Sequence, residues 1–297
     1  MVKDLKNILS KLSFGAIELP ENPNQPKISG SAVAKILEQR PRRVCFESTH
    51  QNALKEKAGE KWAGSFSVPF RESVYPLFHK MTGLELWHSK DHGNWWRSLK
   101  TPNEVETVRN WIAAVRPLVF LRDTLALSIA LAEHQVSEGG RSAIGELEKR
   151  AKYDGDRAAI EHLTARCVQT INTLPYYSDV DAVCAIPPRQ GKGFDLPTEI
   201  VARLAKALSK PDLTSLFNWI NKKPSLKDEK FEKKWATLEA VGLKCNTELN
   251  KKKVLLLDDL YQSGITIQFV AMELLNAGAT RVYGLTLVKS RRDSDNA

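Results

Sequence analysis

The chain has 297 residues, 42% hydrophobic and 27% charged. This balance excludes a mostly disordered, collagen-like or membrane-embedded protein and suggests one large domain or two of ordinary size. With 44 Lys and Arg against 35 Asp and Glu, the formal net charge is +9. That excess suits a phosphate-rich partner or a polyanionic substrate, and equally suits a chain that is merely kept soluble by it. The longest strongly apolar stretch, residues 125–132, is far shorter than the ~18–20 residues that cross a bilayer. Residues 1–6 mix charges early and show no secretory signal. The cysteines Cys45, Cys167, Cys184 and Cys245 are scattered, with no CxxC pair. Together these features predict a cytoplasmic protein with isolated, buried thiols.

In chain order, Pro20, Pro23 and Pro26 with Asn22 and Asn24 predict a loop or arm. Residues 44–49 and 66–70 predict extended pieces. Residues 84–87 and 95–99, around a turn with Gly93 and Asn94, predict a β-hairpin. Thr101, Pro102 and Glu104 predict a capped helix start. The recurrence of Leu118, Leu121, Leu125 and Ile129 predicts that residues 117–173 are mostly helical, broken at Gly139-Gly140. Residues 181–186 then predict a buried strand, 197–208 a helix, 254–257 a second buried strand, 265–276 a helix closed by Gly278, and 281–288 a third strand. That alternation is the pattern of a parallel α/β sheet. The expected fold class is therefore α/β: a C-terminal parallel-sheet domain with helical lead-in over residues 117–297, and an α+β appendage over residues 1–116.

The strongest chemical signal is Val254-Leu255-Leu256-Leu257-Asp258-Asp259-Leu260-Tyr261-Gln262-Ser263-Gly264-Ile265-Thr266. An apolar strand is expected to end in two carboxylates, followed by a hydroxyl- and glycine-bearing loop and a helix start. The carboxyl end of a parallel strand is where open α/β sheets place ligands. A helix N-terminus offers unpaired N–H groups to an anion, and Gly264 allows close backbone approach. Upstream, Pro187-Pro188-Arg189-Gln190-Gly191-Lys192-Gly193 also follows an expected strand and carries two cations and two glycines. Such a loop suits a pyrophosphate, although an ordinary basic turn has the same composition.

The 254–266 segment resembles the 5-phosphoribosyl-1-pyrophosphate (PRPP) motif of the type I phosphoribosyltransferases, matching at Asp258, Asp259, Leu260, Ser263, Gly264 and Thr266. It departs at Gln262, where the family usually has a small hydroxyl residue. With the 186–195 loop, the layout looks most like the ComF-like branch, named for a bacterial competence protein. The likeness covers residues 179–289. It implies a phosphoribosyl-transferring enzyme that uses Mg²⁺. Asp258 and Asp259 would meet the ribose hydroxyls and, through them or water, the metal. Gln262, Ser263, Gly264, Ile265 and Thr266 would hold the 5′-phosphate, and Arg189, Gly191 and Lys192 the pyrophosphate. The acceptor is expected to be nitrogenous. The alternative implied by the same likeness is a nucleic-acid-associated protein of DNA processing, uptake or phage defence, using the pocket to sense a ligand.

The excursion over residues 209–253 is rich in lysine, with Lys222, Lys223, Trp219 and Trp235, and reads either as a solvated helical insertion or as a phosphate-backbone contact. The N-terminal third concentrates tryptophans among cations. Trp95, Trp96 and Arg97 are its nucleic-acid candidates, and their surroundings faintly resemble a small module attached to some DNA-remodelling helicases. Tryptophans more often build cores. His88 and His92 fall in a turn with no third ligand in view, which points to a surface turn rather than a metal site. A homo-oligomer or a protein partner is compatible with all of this.

Overall fold

The computed structural model describes residues 23–57, 62–136, 139–226 and 229–291. The readings of residues 1–6 and 20–22 lie outside them. From Pro23 the chain runs along the main sheet, where the Val282 N–H donates to Gln25 Oε1 at 2.9 Å. Helix α1 (Gly30–Glu38) follows, capped by the Ser29 hydroxyl, which accepts from the Ala32 N–H. Next come β1 (Arg43–Cys45), β2 (Leu54–Glu56), β3 (Gly64–Val68), α2 (Tyr75–Thr82), β4 (Trp87–His88) and β5 (Trp95–Leu99). Strands β2-β3-β5-β4 form an antiparallel sheet, and the expected hairpin is there with Trp87 opposite Trp96. Helix α3 (Pro102–Val115) starts at Thr101, whose hydroxyl accepts from the Glu104 N–H at 3.2 Å.

After α3 the chain departs from the helical expectation. Leu118, Leu121, Leu125 and Ile129 do not share a helix; the chain forms β6 (Val119–Leu121) and β7 (Leu127–Glu133). Residues 125–132 are buried throughout. A strand covered on both faces needs no polar alternation, so its continuous apolar run also satisfies a helical spacing. Helices α4 (Ala143–Tyr153) and α5 (Arg157–Thr173) follow, within the part of the stretch after Gly139-Gly140 that was expected to be helical. The rest is β8 (Ala182–Ala185), α6 (Leu196–Leu208), β9 (Phe217–Trp219), α7 (Phe231–Val241), β10 (Leu243–Cys245), β11 (Lys253–Tyr261), α8 (Ile265–Asn276) and β12 (Arg281–Lys289).

The architecture is mixed α/β. The central six-stranded sheet has the order β1-β6-β7-β12-β11-β8. Strands β7, β12, β11 and β8 are mutually parallel, and β6 runs antiparallel to both β7 and β1. Strand β1 therefore extends the central sheet from within the first 116 residues. The short ribbon β9–β10 forms a further antiparallel pair.

Strand alternation divides the core. Leu255 and Leu257 point to the side of Ile200 and Leu204 from α6, while Val254 and Leu256 point to the side of Phe269, Val270 and Leu274 from α8. The first of these cores runs on into an aromatic cluster in which buried Trp111 meets Phe46, Phe66 and Phe78 edge-on. Among the described residues, no helix is long and apolar enough to cross a membrane.

One topological detail places the site. After α6, residues 211–213 run beside the outer edge of β8. The Val183 N–H donates to the Pro211 carbonyl at 3.0 Å, and the Leu213 N–H donates to the Val183 carbonyl at 2.8 Å. The chain thus leaves β8 outward, then returns across it to β11 on the other side. Adjacent strands whose connections diverge leave a crevice at their carboxyl ends.

Candidate functional site

The β8–β11 ladder stops at Ala185 opposite Leu257, closed by the Ile186 N–H donating to the Leu257 carbonyl at 3.0 Å. Strand β11 does not stop at the carboxylates as expected. It continues to Tyr261, because β12 is long enough to keep pairing with it up to Lys289. Asp258 and Asp259 therefore project beyond β8 from a rigid edge, facing opposite sides of the sheet.

Asp259 turns to the α4 side, where Lys152 Nζ meets its Oδ2 at 2.7 Å and Glu148 at 3.4 Å. Burial works against charge on Lys152, but Asp259 more than offsets it and holds the ammonium above the ordinary lysine range. Glu148 is buried, and that burial raises its carboxyl.

Asp258 turns to the other side, half-buried, with its Oδ1 accepting from the Asp259 N–H at 2.9 Å. Lost hydration, then the neighbouring Asp259 charge, push its carboxyl up to about 7. Lys223 interacts with it across the crevice. Burial, reinforced by Arg189 and Lys192, lowers the Lys223 ammonium to about 8 against the pull of Asp258 and Asp195. The Lys223 Nζ lies 4.2 Å from the centre of the Trp219 ring. Trp219 in turn donates from Nε1 to the Pro187 carbonyl at 3.0 Å, and its own carbonyl accepts from Gln190 Nε2 at 2.9 Å. The 209–253 excursion thus braces the 187–192 loop and brings a cation under the influence of Asp258. Trp219 and Trp235 are both buried, so neither is a platform for nucleic-acid bases.

Arg189, Gly191 and Lys192 are exposed on that loop. Gly191 takes a left-handed φ of 76°. Lys192 binds Asp195 at 2.7 Å, and Asp195 caps α6 by accepting from the Thr198 N–H at 3.1 Å. An open cleft of about 520 Å³ lies on the outer flank of the loop, toward Asp212, Thr214 and Asn218; it does not include the 258–266 segment.

The turn into α8 has Gln262 and Thr266 half-buried and Ser263, Gly264 and Ile265 buried. Gly264 takes φ 79°, and a Cβ there would sit 2.1 Å from the Tyr261 hydroxyl, so the tight turn requires glycine twice over. Among the described residues no side chain caps α8, and its first amides have no intrahelical acceptor.

Beneath the turn is a buried polar layer. Arg42 Nη2 donates to the Ser263 carbonyl at 2.6 Å and Lys289 Nζ to the Gln262 carbonyl at 3.2 Å. The Tyr261 hydroxyl donates to Asp123 Oδ2 at 3.1 Å, and burial raises the Asp123 carboxyl. Gln268 Nε2 donates to the Gly264 carbonyl at 3.0 Å, while its Oε1 accepts from the Thr124 N–H at 3.1 Å.

The donor set bears on a magnesium ion. Among the described residues no group of three or more His, Cys, Asp or Glu could hold a metal, His88 and His92 included. Asp259 is engaged by Lys152. Of the two carboxylates, Asp258 is the one that a cation carried by a ligand's own oxygens and waters could reach, the mode Mg²⁺ favours.

The other nucleic-acid candidates divide between the β4–β5 hairpin and the excursion. Trp96 and its neighbour Trp87 are 39% and 50% exposed. Trp95 is half-buried under the Arg71 guanidinium at 4.6 Å, and Arg97 is held by Glu104 at 2.7 Å. Lys222 is exposed on the excursion after β9, away from that sheet, and Lys223 belongs to the crevice. Residues absent from the expected site but present in it are Glu148, Lys152, Lys223, Arg42, Asp123 and Lys289. The i,i+4 spacing of Glu148 and Lys152 was visible, but it is indistinguishable from a surface helix pair.

No family model matches the chain, and no curated protein matches it significantly. Solved structures align with part of the chain. Orotate phosphoribosyltransferase from Aeropyrum pernix aligns with TM-score 0.29 and 18% identity, covering 47% of this chain and 63% of that one, less than two thirds of its length. Purine phosphoribosyltransferase from Pyrococcus horikoshii Ot3 aligns with TM-score 0.30 and 14% identity, covering 45% and 84%. A hypothetical protein from Neisseria gonorrhoeae with bound ppGpp aligns with TM-score 0.29 and 19% identity, covering 48% and 73%.

Proposed function

We propose that the chain binds PRPP or a closely related sugar phosphate in the β8–β11 crevice and transfers the phosphoribosyl group to a nitrogenous acceptor. The observation that carries this reading is the topological switch between β8 and β11. It sets the glycine-bearing cationic loop at 187–192 at the end of β8 and the turn at 262–266 at the end of β11, the strand that carries Asp258. Two anion-suited loops on either side of a carboxylate match a ligand with two separated phosphate groups and hydroxyls between them.

In this reading the bond from the anomeric carbon to pyrophosphate breaks, and pyrophosphate departs with the electron pair. The acceptor nitrogen supplies its lone pair to the same carbon and afterwards loses a proton. Arg189, Lys192 and Lys223 neutralise the departing charge, and the amides of the 262–266 turn hold the 5′-phosphate. Asp258 orients the ribose hydroxyls and, if bound, a magnesium ion would supply Lewis-acid charge neutralisation on the pyrophosphate. Lys152 fixes Asp259 and so keeps the acid pair in register.

Pyrophosphate release from PRPP with Mg²⁺, measured across a panel of amine, amide and heterocyclic acceptors, tests the reading. Release in the wild type and its loss in Asp258→Asn are expected. Tight PRPP binding without release from any acceptor would instead favour ligand sensing.

A second reading has its own support. Exposed Trp87 and Trp96 sit side by side on β4–β5, with the Arg97 guanidinium 5.2 Å from the Trp87 ring. We propose that this face stacks bases of a single strand. Salt-dependent binding of an oligonucleotide, weakened by Trp87→Ala, is the expected result, and salt-independent or absent binding contradicts it.

A further inference from the structure

We infer that Arg42 and Lys289, both outside the 254–266 segment, are positioning residues that orient the peptide planes of the 262–264 turn so that the amides of Ser263 and Gly264 present themselves to a phosphate. This rests on the sugar-phosphate reading of the turn and assigns what shapes it.

Arg42 lies just before β1 and is 2% exposed; Lys289 ends β12 and is 1% exposed. They come from opposite ends of the chain and meet the same turn. Lys289 donates to the Gln262 carbonyl, and Arg42 to the next carbonyl, that of Ser263. A peptide unit is planar and trans, so its C=O and N–H point in opposite directions. Drawing the Gln262 carbonyl toward a buried ammonium turns the Ser263 N–H to the other side of that plane. Drawing the Ser263 carbonyl toward a buried guanidinium does the same for the Gly264 N–H. With Gly264 in the left-handed region, successive amides converge as an anion-binding concavity.

The choice of donor matters. A neutral side chain or a water satisfies a carbonyl, whereas burying a cation is expensive. Arg42 also acts on the buried Asp123 carboxyl and the Tyr261 hydroxyl, and Lys289 Nζ also donates to the Ser290 carbonyl, so each cation is anchored where it still reaches one of two successive carbonyls of the turn. Together they polarise both peptides and make their N–H groups stronger donors to an oxyanion. The brace is itself held. The Arg42 carbonyl accepts from the Arg122 N–H at 2.9 Å, Lys289 pairs with Tyr261 across the β11–β12 ladder, and Asp123 binds the Tyr261 hydroxyl. The N-terminal segment thus contributes to the site without touching the ligand.

The test is calorimetric titration of the full chain with inorganic phosphate, and separately with inorganic pyrophosphate. Arg42→Met and Lys289→Met should each weaken phosphate binding about 10- to 100-fold, the range for hydrogen bonds to charged groups. Pyrophosphate binding, assigned to the 187–192 loop, should be unchanged. Arg42→Lys should recover part of the loss. Leu204→Ala, which removes a buried α6 side chain far from the turn, should lower the thermal midpoint yet keep phosphate affinity. Unchanged phosphate affinity in both Met variants, or equal loss of both anions, overturns the inference. If the wild type binds neither anion, the sugar-phosphate reading itself falls. The brace is then decided by the structure of Arg42→Met: reoriented 262–264 peptide planes uphold it, and planes as in the wild type overturn it.

Discussion

Replacing Asp258 with asparagine should make the protein more stable while removing its function. The side chain keeps its shape, and the asparagine Oδ1 still accepts from the Asp259 N–H. What disappears is a carboxylate held near 7 rather than at its ordinary 3.8. A carboxyl whose pKa is raised by folding binds its proton more tightly in the native state. Its contribution to stability is therefore lost as pH rises from about 4 to 7. The full difference corresponds to an upper bound of about 4 kcal/mol. Solvent at the crevice mouth screens that to about 1–2 kcal/mol, and a chain of this size converts it to about 2–3 °C in midpoint. Thermal melts of wild type and Asp258→Asn from pH 4 to 9 measure it. The variant should melt higher at pH 8, and its advantage should shrink toward zero near pH 4. An advantage independent of pH, or no advantage at pH 8, would refute the assignment of a strained carboxylate at this edge.

Lys152→Met removes the partner of Asp259 and should destabilise the chain by about 1–3 kcal/mol in urea unfolding, with Lys152→Met/Asp259→Asn recovering part of that. Gly264→Ala meets both a left-handed backbone and the Tyr261 hydroxyl; it should abolish phosphate binding and lower stability by about 2 kcal/mol or more. Trp111→Ala empties the centre of the aromatic cluster and should cost about 3–5 kcal/mol in the same unfolding assay. Lys223→Met should weaken pyrophosphate binding and shift its pH dependence. The wild type, whose Lys223 titrates near 8, should take up a proton on binding pyrophosphate near that pH, seen as buffer-dependent calorimetric heat, and the variant should not.

The parallel half of the fold was legible because its elements alternate cleanly. Residues 181–186, 254–257 and 281–288 are apolar runs too short for helices, each separated by a helix with recognisable ends. Residues 117–133 were not legible. A strand covered on both faces has no polar side, so the apolar run ending in β7 satisfied a helical spacing as well as an extended one. The position of β1 was equally hidden, since a three-residue strand carries no period.

At the site, the contiguous motif could be read because its chemistry is local: acids, glycine and hydroxyls within a few positions. The residues that complete it come from elsewhere. Lys152 lies on α4, Lys223 on the excursion, and Arg42 and Lys289 near the two ends of the chain. Only topology brings them together. Lys223 was read among solvated or backbone-binding lysines, and only the packing of Trp219 against Pro187 turns it inward.

The proposed crevice holds a pyrophosphate and a phosphate at once, at the 187–192 loop and the 262–266 turn. Competition calorimetry against PRPP with Mg²⁺ tests it most directly. One saturable PRPP site is expected, from which ribose 5-phosphate and pyrophosphate each displace the ligand, and to which the two competitors bind together without excluding one another. A chain that takes up no PRPP, or in which the two fragments exclude each other at a single anion site, would contradict it.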